Sequence, residues 1–177
     1  MVLEKNFKLC DLLKEKFVAN KSLKIFNNDI LSFKIEDKIK KNAIIFGNLP
    51  YNISTQILVK LIRLSKWPPD YKFLILMFQK EVADRIVAKD KNSNYGRLAI
   101  IASWRLKVKS SFNISKNCFY PKPKVDSSLL IFEPRISKKY KINDLKNLET
   151  LTQIFFSNKR KMINKPLKKI FKDIDLI

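Results

Sequence analysis

The chain has 177 residues, 46% of them hydrophobic, enough for one domain with a packed core and a small appendage. Its 37 Lys and Arg stand against 16 Asp and Glu, a formal charge of +21, and it holds no His, two Gly and two Cys. That inventory excludes a Ser-His-Asp triad, a His-ligated metal centre, a Cys/His zinc site and a Gly-rich phosphate loop within these residues, while the charge points to a polyanionic partner, nucleic acid first, with a Lys-rich coding bias as the alternative.

Met1 to Leu3 reads as the end of a strand. From Phe7 to Phe17 the apolar residues fall at 7, 9, 10, 12, 13 and 17, which predicts an amphipathic helix. Leu23 to Phe26 is a short strand that runs into the turn Asn27-Asn28-Asp29. Ala43 to Phe46 is an unbroken apolar run, the mark of a buried parallel strand, and Gly47-Asn48-Leu49-Pro50-Tyr51 interrupts it. Ser54 is placed to cap a helix through Ile57, Leu58, Leu61, Ile62 and Leu64, which Trp67-Pro68-Pro69 stops. Phe73 to Phe78 reads as a second buried strand and Glu81 to Ala88 as a helix. The alternation indicates an α/β fold with parallel strands.

Phe73 to Phe78 and Leu98 to Trp104 are the longest apolar runs, and both are far shorter than the roughly 20 residues of a membrane span. Glu4 and Lys5 follow three apolar residues, which does not read as a signal peptide. Leu106 to Ile114 and Val125 to Phe132 read as strands joined by a Pro-containing loop too short for a crossover helix, so an antiparallel hairpin at the sheet edge is expected. Residues 134–141 read as a linker. Leu145 to Phe156 and Lys161 to Phe171 read as basic helices with too few residues for a core of their own. Charge is heavier toward the back: residues 1–103 carry 19 basic and 10 acidic groups, net +9, and residues 104–177 carry 18 and 6, net +12. Lys159, Arg160, Lys161, Lys165, Lys168 and Lys169 are the candidate contacts to nucleic-acid phosphates. Cys10 and Cys118 read as reduced, partly buried thiols of a cytoplasmic protein.

The strongest local feature is Asn48-Leu49-Pro50-Tyr51, directly after a strand. Ligands of open parallel sheets bind at the carboxyl ends of the strands. An amide, a stiffened turn and an aromatic ring at that edge suit a flat base with an exocyclic amine. The Asn48 side-chain carbonyl accepts one amine hydrogen, and the backbone carbonyl of Leu49 or Pro50 accepts the other. Pro50 fixes φ and keeps these acceptors aimed, and Tyr51 offers a face for stacking. On these four residues alone, an incidental proline turn remains the alternative.

Continued through Asn52-Ile53-Ser54, the stretch closely resembles the ribosomal RNA adenine dimethyltransferases, the small-subunit enzymes and the macrolide-resistance methylases of the large subunit together. Gln79-Lys80-Glu81-Val82 with Arg85-Ile86-Val87-Ala88, then Tyr95-Gly96-Arg97-Leu98, are similar to that family in order and spacing. So are the Pro-rich stretch from Phe119-Tyr120-Pro121-Lys122-Pro123 to Lys124-Val125-Asp126-Ser127, and Phe156 with Asn158-Lys159-Arg160-Lys161. The resemblance implies a Rossmann-like methyltransferase sheet, S-adenosylmethionine as methyl donor and no metal. It implies N6,N6-dimethylation of adenines in small-subunit ribosomal RNA, by a cytoplasmic monomer acting on the RNA or on a small-subunit precursor.

Residue by residue, the resemblance implies that Glu4 binds the ribose hydroxyls of the donor and Asp29 its adenine amine. Asn48 lies between donor and target, and Asn48, Leu49, Pro50 and Tyr51 form the catalytic corner. Tyr51 and Phe119 flank the target base, with Pro121 and Pro123 stiffening the loop that presents Phe119. Residues 1–134 would be the catalytic domain, lacking its first strand and Gly-rich loop, and residues 142–177 part of a helical RNA-binding domain. Lys122 departs from the family, where many relatives carry another Pro. With no Gly-rich loop upstream of Glu4 and an early end to the helical part, the expectation is an internal fragment truncated at both ends, its own activity open. The alternative is a non-catalytic basic RNA-binding or ribosome-assembly protein on the same scaffold. DNA or protein methylases of this fold often carry Asp or Asn followed by Pro-Pro-Tyr, so Leu49 favours the RNA branch.

Overall fold

A parallel pair of strands needs a crossover connection, and residues 1–41 supply one. In the computed structural model, which describes residues 1–136, 142, 145–157, 167 and 170, these residues form one of two compact units, and residues 42–177 belong to the other. Strand β1 (Val2–Glu4) pairs in parallel with β2 (Ile25–Asn27), Glu4 opposite Asn27. Between them runs α1 (Phe7–Lys16), which starts where the Asn6 side chain accepts the Leu9 N–H at 3.3 Å and ends with Lys14 and Lys16 at the negative end of the helix dipole. Cys10 is the buried residue of α1. Phe26 packs on Phe33, ring centroids 5.3 Å apart.

The second unit runs β3 (Ala43–Asn48), α2 (Ser54–Ile62), β4 (Tyr71–Gln79), α3 (Lys80–Val87), α4 (Arg97–Arg105), β5 (Leu106–Ile114), β6 (Ser127–Pro134) and α5 (Leu145–Phe156). Its sheet has the order β3-β4-β6-β5. β3 and β4 are parallel, and β6 runs antiparallel to both of its neighbours. Leu74, Leu76 and Phe78 of β4 and Leu130 and Phe132 of β6 are almost wholly removed from solvent, as are Ile57, Leu58, Leu61 and Ile62 of α2 and Ala99, Ile101 and Ala102 of α4. Each large apolar side chain so buried contributes about 1.5–3 kcal/mol. At one end of the sheet the Arg105 guanidinium lies 4.6 Å from the Trp67 ring and 4.4 Å from the Trp104 ring. Its Nη1 donates to the carbonyls of Ile62 and Leu64 at 2.6 and 2.9 Å, acceptors that the end of α2 leaves without helical partners.

The expected antiparallel hairpin lies at the sheet edge, with β5 outermost and β6 inside it, and β1 and β2 form a separate sheet. Several other expectations need correction. The apolar run at β3 indicated parallel pairing correctly and burial incorrectly. β3 is an outer strand, and one of its faces leaves Ile44 49% and Phe46 72% exposed. Ser54 is the first helical residue of α2 and not its cap: its hydroxyl donates to the Tyr51 carbonyl. The apolar run from Leu98 to Trp104, which carried no assignment, is most of α4. The short strand expected at Leu23–Phe26 is Ile25–Asn27, and the one expected at Val125–Phe132 is Ser127–Pro134. Both cysteines are free, with Cys10 buried as its helix face requires, whereas Cys118 sits exposed in the β5–β6 loop. The helix expected over Lys161–Phe171 and most of the expected linker lie outside the described residues.

Candidate active site

All four strands of the second unit meet one rim. Asn48 closes β3 opposite Met77, Gln79 closes β4 opposite Ser127, and Ser127 opens β6 opposite Ile114, the last residue of β5. Asn48 is exposed there. The residue before it is closely packed: a Cβ on Gly47 would stand 2.6 Å from Leu49 Cδ2 and 2.8 Å from Leu76 Cδ2, so these methyls would have to move aside.

The turn that follows is held by its own backbone. The Pro50 carbonyl accepts the Ile53 N–H at 3.1 Å, and the Ile53 carbonyl, at the N-cap of α2, accepts the Ile57 N–H at 3.0 Å. Of the two carbonyls considered for a base amine, Pro50's is therefore engaged in the turn. Tyr51 is half-buried and fixed at both ends. Its carbonyl accepts from the Ser54 hydroxyl at 3.1 Å, and its phenol oxygen lies 2.7 Å from Ser127 Oγ. Both serines are fully buried.

The β5–β6 loop leaves the same rim. Its 3-10 turn (Lys116–Cys118) is capped by Ser115, whose Oγ accepts the Asn117 N–H at 3.2 Å. Phe119 follows, half-buried, and then Tyr120, fully exposed. Asp126 closes the loop: its Oδ1 accepts the Lys116 N–H at 2.9 Å, and its carbonyl accepts the N–H of Lys80, the first residue of α3, at 2.9 Å. Beside it lies an open groove of about 420 Å³ lined by Lys80, Glu81, Asp84, Lys116, Lys124 and Asp126, with Val125.

In the first unit, Glu4 and Asp29 both stand at the carboxyl end of the β1–β2 pair. Glu4 is half-buried, and its Oε1 accepts the Asn6 N–H at 2.7 Å. Its carbonyl accepts from Asn27 Nδ2 at 3.1 Å and from the Cys10 thiol at 3.3 Å, which fixes the strand end. Asp29 Oδ1 accepts the Leu31 N–H at 2.8 Å, and Oδ2 takes the Lys5 ammonium at 2.8 Å. The hydrogen bond and the charge of Asp29 hold the Lys5 ammonium above its ordinary pKa. Two carboxylates at strand ends are a chemically suitable acceptor set for ribose hydroxyls and an adenine amine.

The structure thus brings Asn48, Leu49, Pro50, Tyr51 and the Phe119 loop to one rim, and Glu4 and Asp29 to one strand end of the other unit. Lys159, Arg160, Lys161, Lys165, Lys168 and Lys169 lie outside the described residues. Sequence reasoning missed the holding roles of Ser54, Asp126 and Ser127. Asp126 and Ser127 stood in the Pro-rich stretch that carried the resemblance, which gave their position and not their contacts. No helix among the described residues is long and apolar enough to cross a membrane.

A family model described as ribosomal RNA adenine dimethylase matches residues 1–175. The ribosomal RNA small subunit methyltransferase A of Pelagibacter ubique is 49% identical over 170 residues, 96% of this chain and 64% of that protein. The protein of the same name in Bradyrhizobium diazoefficiens is 39% identical over 149 residues, 84% of this chain and 52% of that protein. This chain therefore spans between about half and two thirds of these relatives' length. Among solved structures, a dimethyladenosine transferase from Plasmodium falciparum superposes with a TM-score of 0.78 at 30% identity, over 94% of this chain and 58% of that one. The 23S rRNA methyltransferase ErmE superposes with a TM-score of 0.68 at 20% identity, over 96% and 66%, a likeness of fold, and the expected Rossmann-like methyltransferase architecture stands.

Proposed function

Because this chain belongs to the ribosomal RNA adenine dimethylase family, we propose that the protein transfers two methyl groups from S-adenosylmethionine to the 6-amino group of an adenine in small-subunit ribosomal RNA. The observation that carries this reading is the exposed Asn48 beside the Leu49 carbonyl, next to a Tyr51 held by Ser127. When bound, S-adenosylmethionine supplies an electrophilic methyl carbon on a sulfonium.

The chain's own residues do the rest by placement. An aromatic amine is a poor nucleophile because its lone pair is conjugated with the ring. Asn48 Oδ1 and the Leu49 carbonyl each accept one amine hydrogen, which favours a pyramidal nitrogen with its lone pair directed at the incoming carbon. As the N–C bond forms and the S–C bond breaks, the amine proton leaves to solvent, so no strong base is required and the absence of His is no obstacle. Alignment and fixed dipoles lower the barrier. A monomethylated amine keeps one hydrogen, and one acceptor of the pair then suffices to orient it.

The base must leave its stack, at a cost of a few kcal/mol. Tyr51 and Phe119 offset that cost by stacking, at about 1–3 kcal/mol per base. Glu4 binds the donor's ribose hydroxyls, and Asp29 accepts from its adenine amine in exchange for, or beside, Lys5. Residues 1–134 act as the catalytic part and residues 142–177 as part of a helical RNA-binding part, in a cytoplasmic monomer that acts on ribosomal RNA or a small-subunit precursor.

The test is to incubate the purified protein with methyl-labelled S-adenosylmethionine and small-subunit ribosomal RNA, then to digest the RNA and separate the nucleosides. Labelled N6,N6-dimethyladenosine is expected. Tight RNA binding with no methylated adenine would overturn the catalytic reading and leave an RNA-binding protein.

A further inference from the structure

We infer that the dipeptide Asp126-Ser127 is the positioning element that fixes both walls of the base-binding corner, Ser127 setting the Tyr51 ring and Asp126 setting the loop that carries Phe119. The inference rests on the function proposed above for Tyr51 and Phe119, and it adds residues that touch neither base nor donor.

Four observations meet on these two residues. Ser127 is fully buried, and its Oγ lies 2.7 Å from the Tyr51 phenol across 76 positions of sequence. Ser127 is also ladder-paired on both sides, to Gln79 and to Ile114, so the anchor for the phenol cannot drift. Asp126 Oδ1 takes the Lys116 N–H at the start of the 3-10 turn that leads into Phe119. The Asp126 carbonyl takes the Lys80 N–H and ties the same point to the start of α3. Two aromatic walls far apart in the second unit's sequence are thereby referred to one rigid backbone point.

A flat base is gripped only if the spacing and tilt of its two walls are fixed before it arrives. With Ser127 replaced by Ala, the half-buried phenol loses its anchor and the Tyr51 ring gains freedom to tilt. With Asp126 replaced by Ala, the Lys116 N–H loses its acceptor and the Phe119 loop loosens. Neither change removes a group that holds RNA phosphates, so the loss falls on turnover. A displacement of about 1 Å at a reacting centre costs on the order of 100-fold in rate, and Ser127→Ala and Asp126→Ala are each expected to lower kcat by about 10- to 100-fold with KM for RNA nearly unchanged.

The experiment compares methyl transfer by the wild type, Ser127→Ala, Tyr51→Phe, the double variant of these two, Asp126→Ala and Asp126→Asn. Urea denaturation checks that each is folded. Ser127 acting through the phenol predicts that Ser127→Ala has no further effect in the Tyr51→Phe background. Asp126 acting as an acceptor predicts that Asp126→Asn, which keeps an amide oxygen, recovers most of the rate lost in Asp126→Ala. A second readout needs no activity: in protein with 13C-labelled rings, Ser127→Ala should shift or broaden the Tyr51 signals and Asp126→Ala those of Phe119. Independent effects of Ser127→Ala and Tyr51→Phe, no recovery in Asp126→Asn, a change confined to KM, or unmoved ring signals would each overturn the inference. If the wild type transfers no methyl and the ring signals respond as stated, the proposed function falls while the positioning of the two rings stands.

Discussion

Arg63, which ends α2, grips Glu149 of α5 with both arms of its guanidinium, Nε donating to Oε1 at 3.0 Å and Nη2 to Oε2. Together with the edge-on contact of Tyr95 and Phe156, 6.2 Å between ring centroids, it fastens α5 to the rest of the second unit. The Glu149 side chain is only 12% exposed but that of Arg63 is 55% exposed, so solvent screens much of the attraction. A double-mutant cycle of Arg63→Ala and Glu149→Ala, read by urea denaturation, should give a coupling of about 0.5–1 kcal/mol that shrinks with added salt. A coupling of zero would mean that α5 is held in place without help from this ion pair.

Asn48→Ala removes one of the two acceptors proposed for the amine. Loss of a preorganised hydrogen-bonding group at a reacting centre costs about 100- to 1000-fold in kcat, and that fall is expected in single-turnover methylation. RNA affinity by filter binding should barely move, because a single neutral amide contributes nothing to phosphate neutralisation. Unchanged turnover would remove Asn48 from its role.

Gly47→Ala tests the packing beneath the corner. The new Cβ would meet Leu49 Cδ2 at 2.6 Å and Leu76 Cδ2 at 2.8 Å, inside contact distance for both. The side chain of Leu49 must yield, and overpacking of this kind costs about 1–3 kcal/mol. The denaturation midpoint should therefore fall, and an unchanged midpoint would mean that the leucine methyls swing aside freely.

Tyr71 carries a pH prediction. Burial pushes its phenol above the ordinary value of 10.0, against the opposing pull of the Arg105 charge. The folded chain therefore keeps this proton where the unfolded chain has lost it. Its contribution to stability is intact below pH 10 and is lost as pH rises above that value toward the raised folded one. Tyr71→Phe forfeits the hydrogen bond from the phenol to the Leu61 carbonyl, 3.3 Å long, at about 0.5–1.5 kcal/mol near pH 7. It should then lose less than the wild type between pH 9 and 10.5 in urea titrations. Parallel curves for the two proteins would contradict this.

RNA binding should weaken steeply with salt, each neutralised phosphate adding roughly 0.7–0.9 to the slope of log K against log salt concentration. Replacing Lys159, Arg160 and Lys161 together by Gln should flatten that slope without altering which adenine is modified. Binding indifferent to salt would contradict a phosphate-facing back half.

Local pattern made much of the fold readable, and long-range contacts hid the rest. β5 at Leu106–Ile114 and α5 at Leu145–Phe156 lie where their patterning predicts. α4 escaped because Leu98 to Trp104 is a short unbroken apolar run, and such a run does not distinguish a helix from a strand. Whether β3 lies inside or at the margin of its sheet depends on residues far away in sequence, so its own apolar run could not report the exposure of Phe46. At the site, Asn48 and Tyr51 drew notice because a proline turn at a strand end is a local motif. Ser127 did not, since a hydrogen bond across 76 positions leaves no periodic trace.

The uncovered rings and methyls of Ile44 and Phe46 on β3 have a practical consequence. A charge of +21 keeps copies of the chain apart in dilute buffer. At about 1 M salt that repulsion reaches only about 3 Å, while apolar contact is unaffected or strengthened. The brine used to wash nucleic acid off such a protein is thus also the bath in which it clumps, and low ionic strength with a soluble polyanion is the gentler way to keep it dispersed.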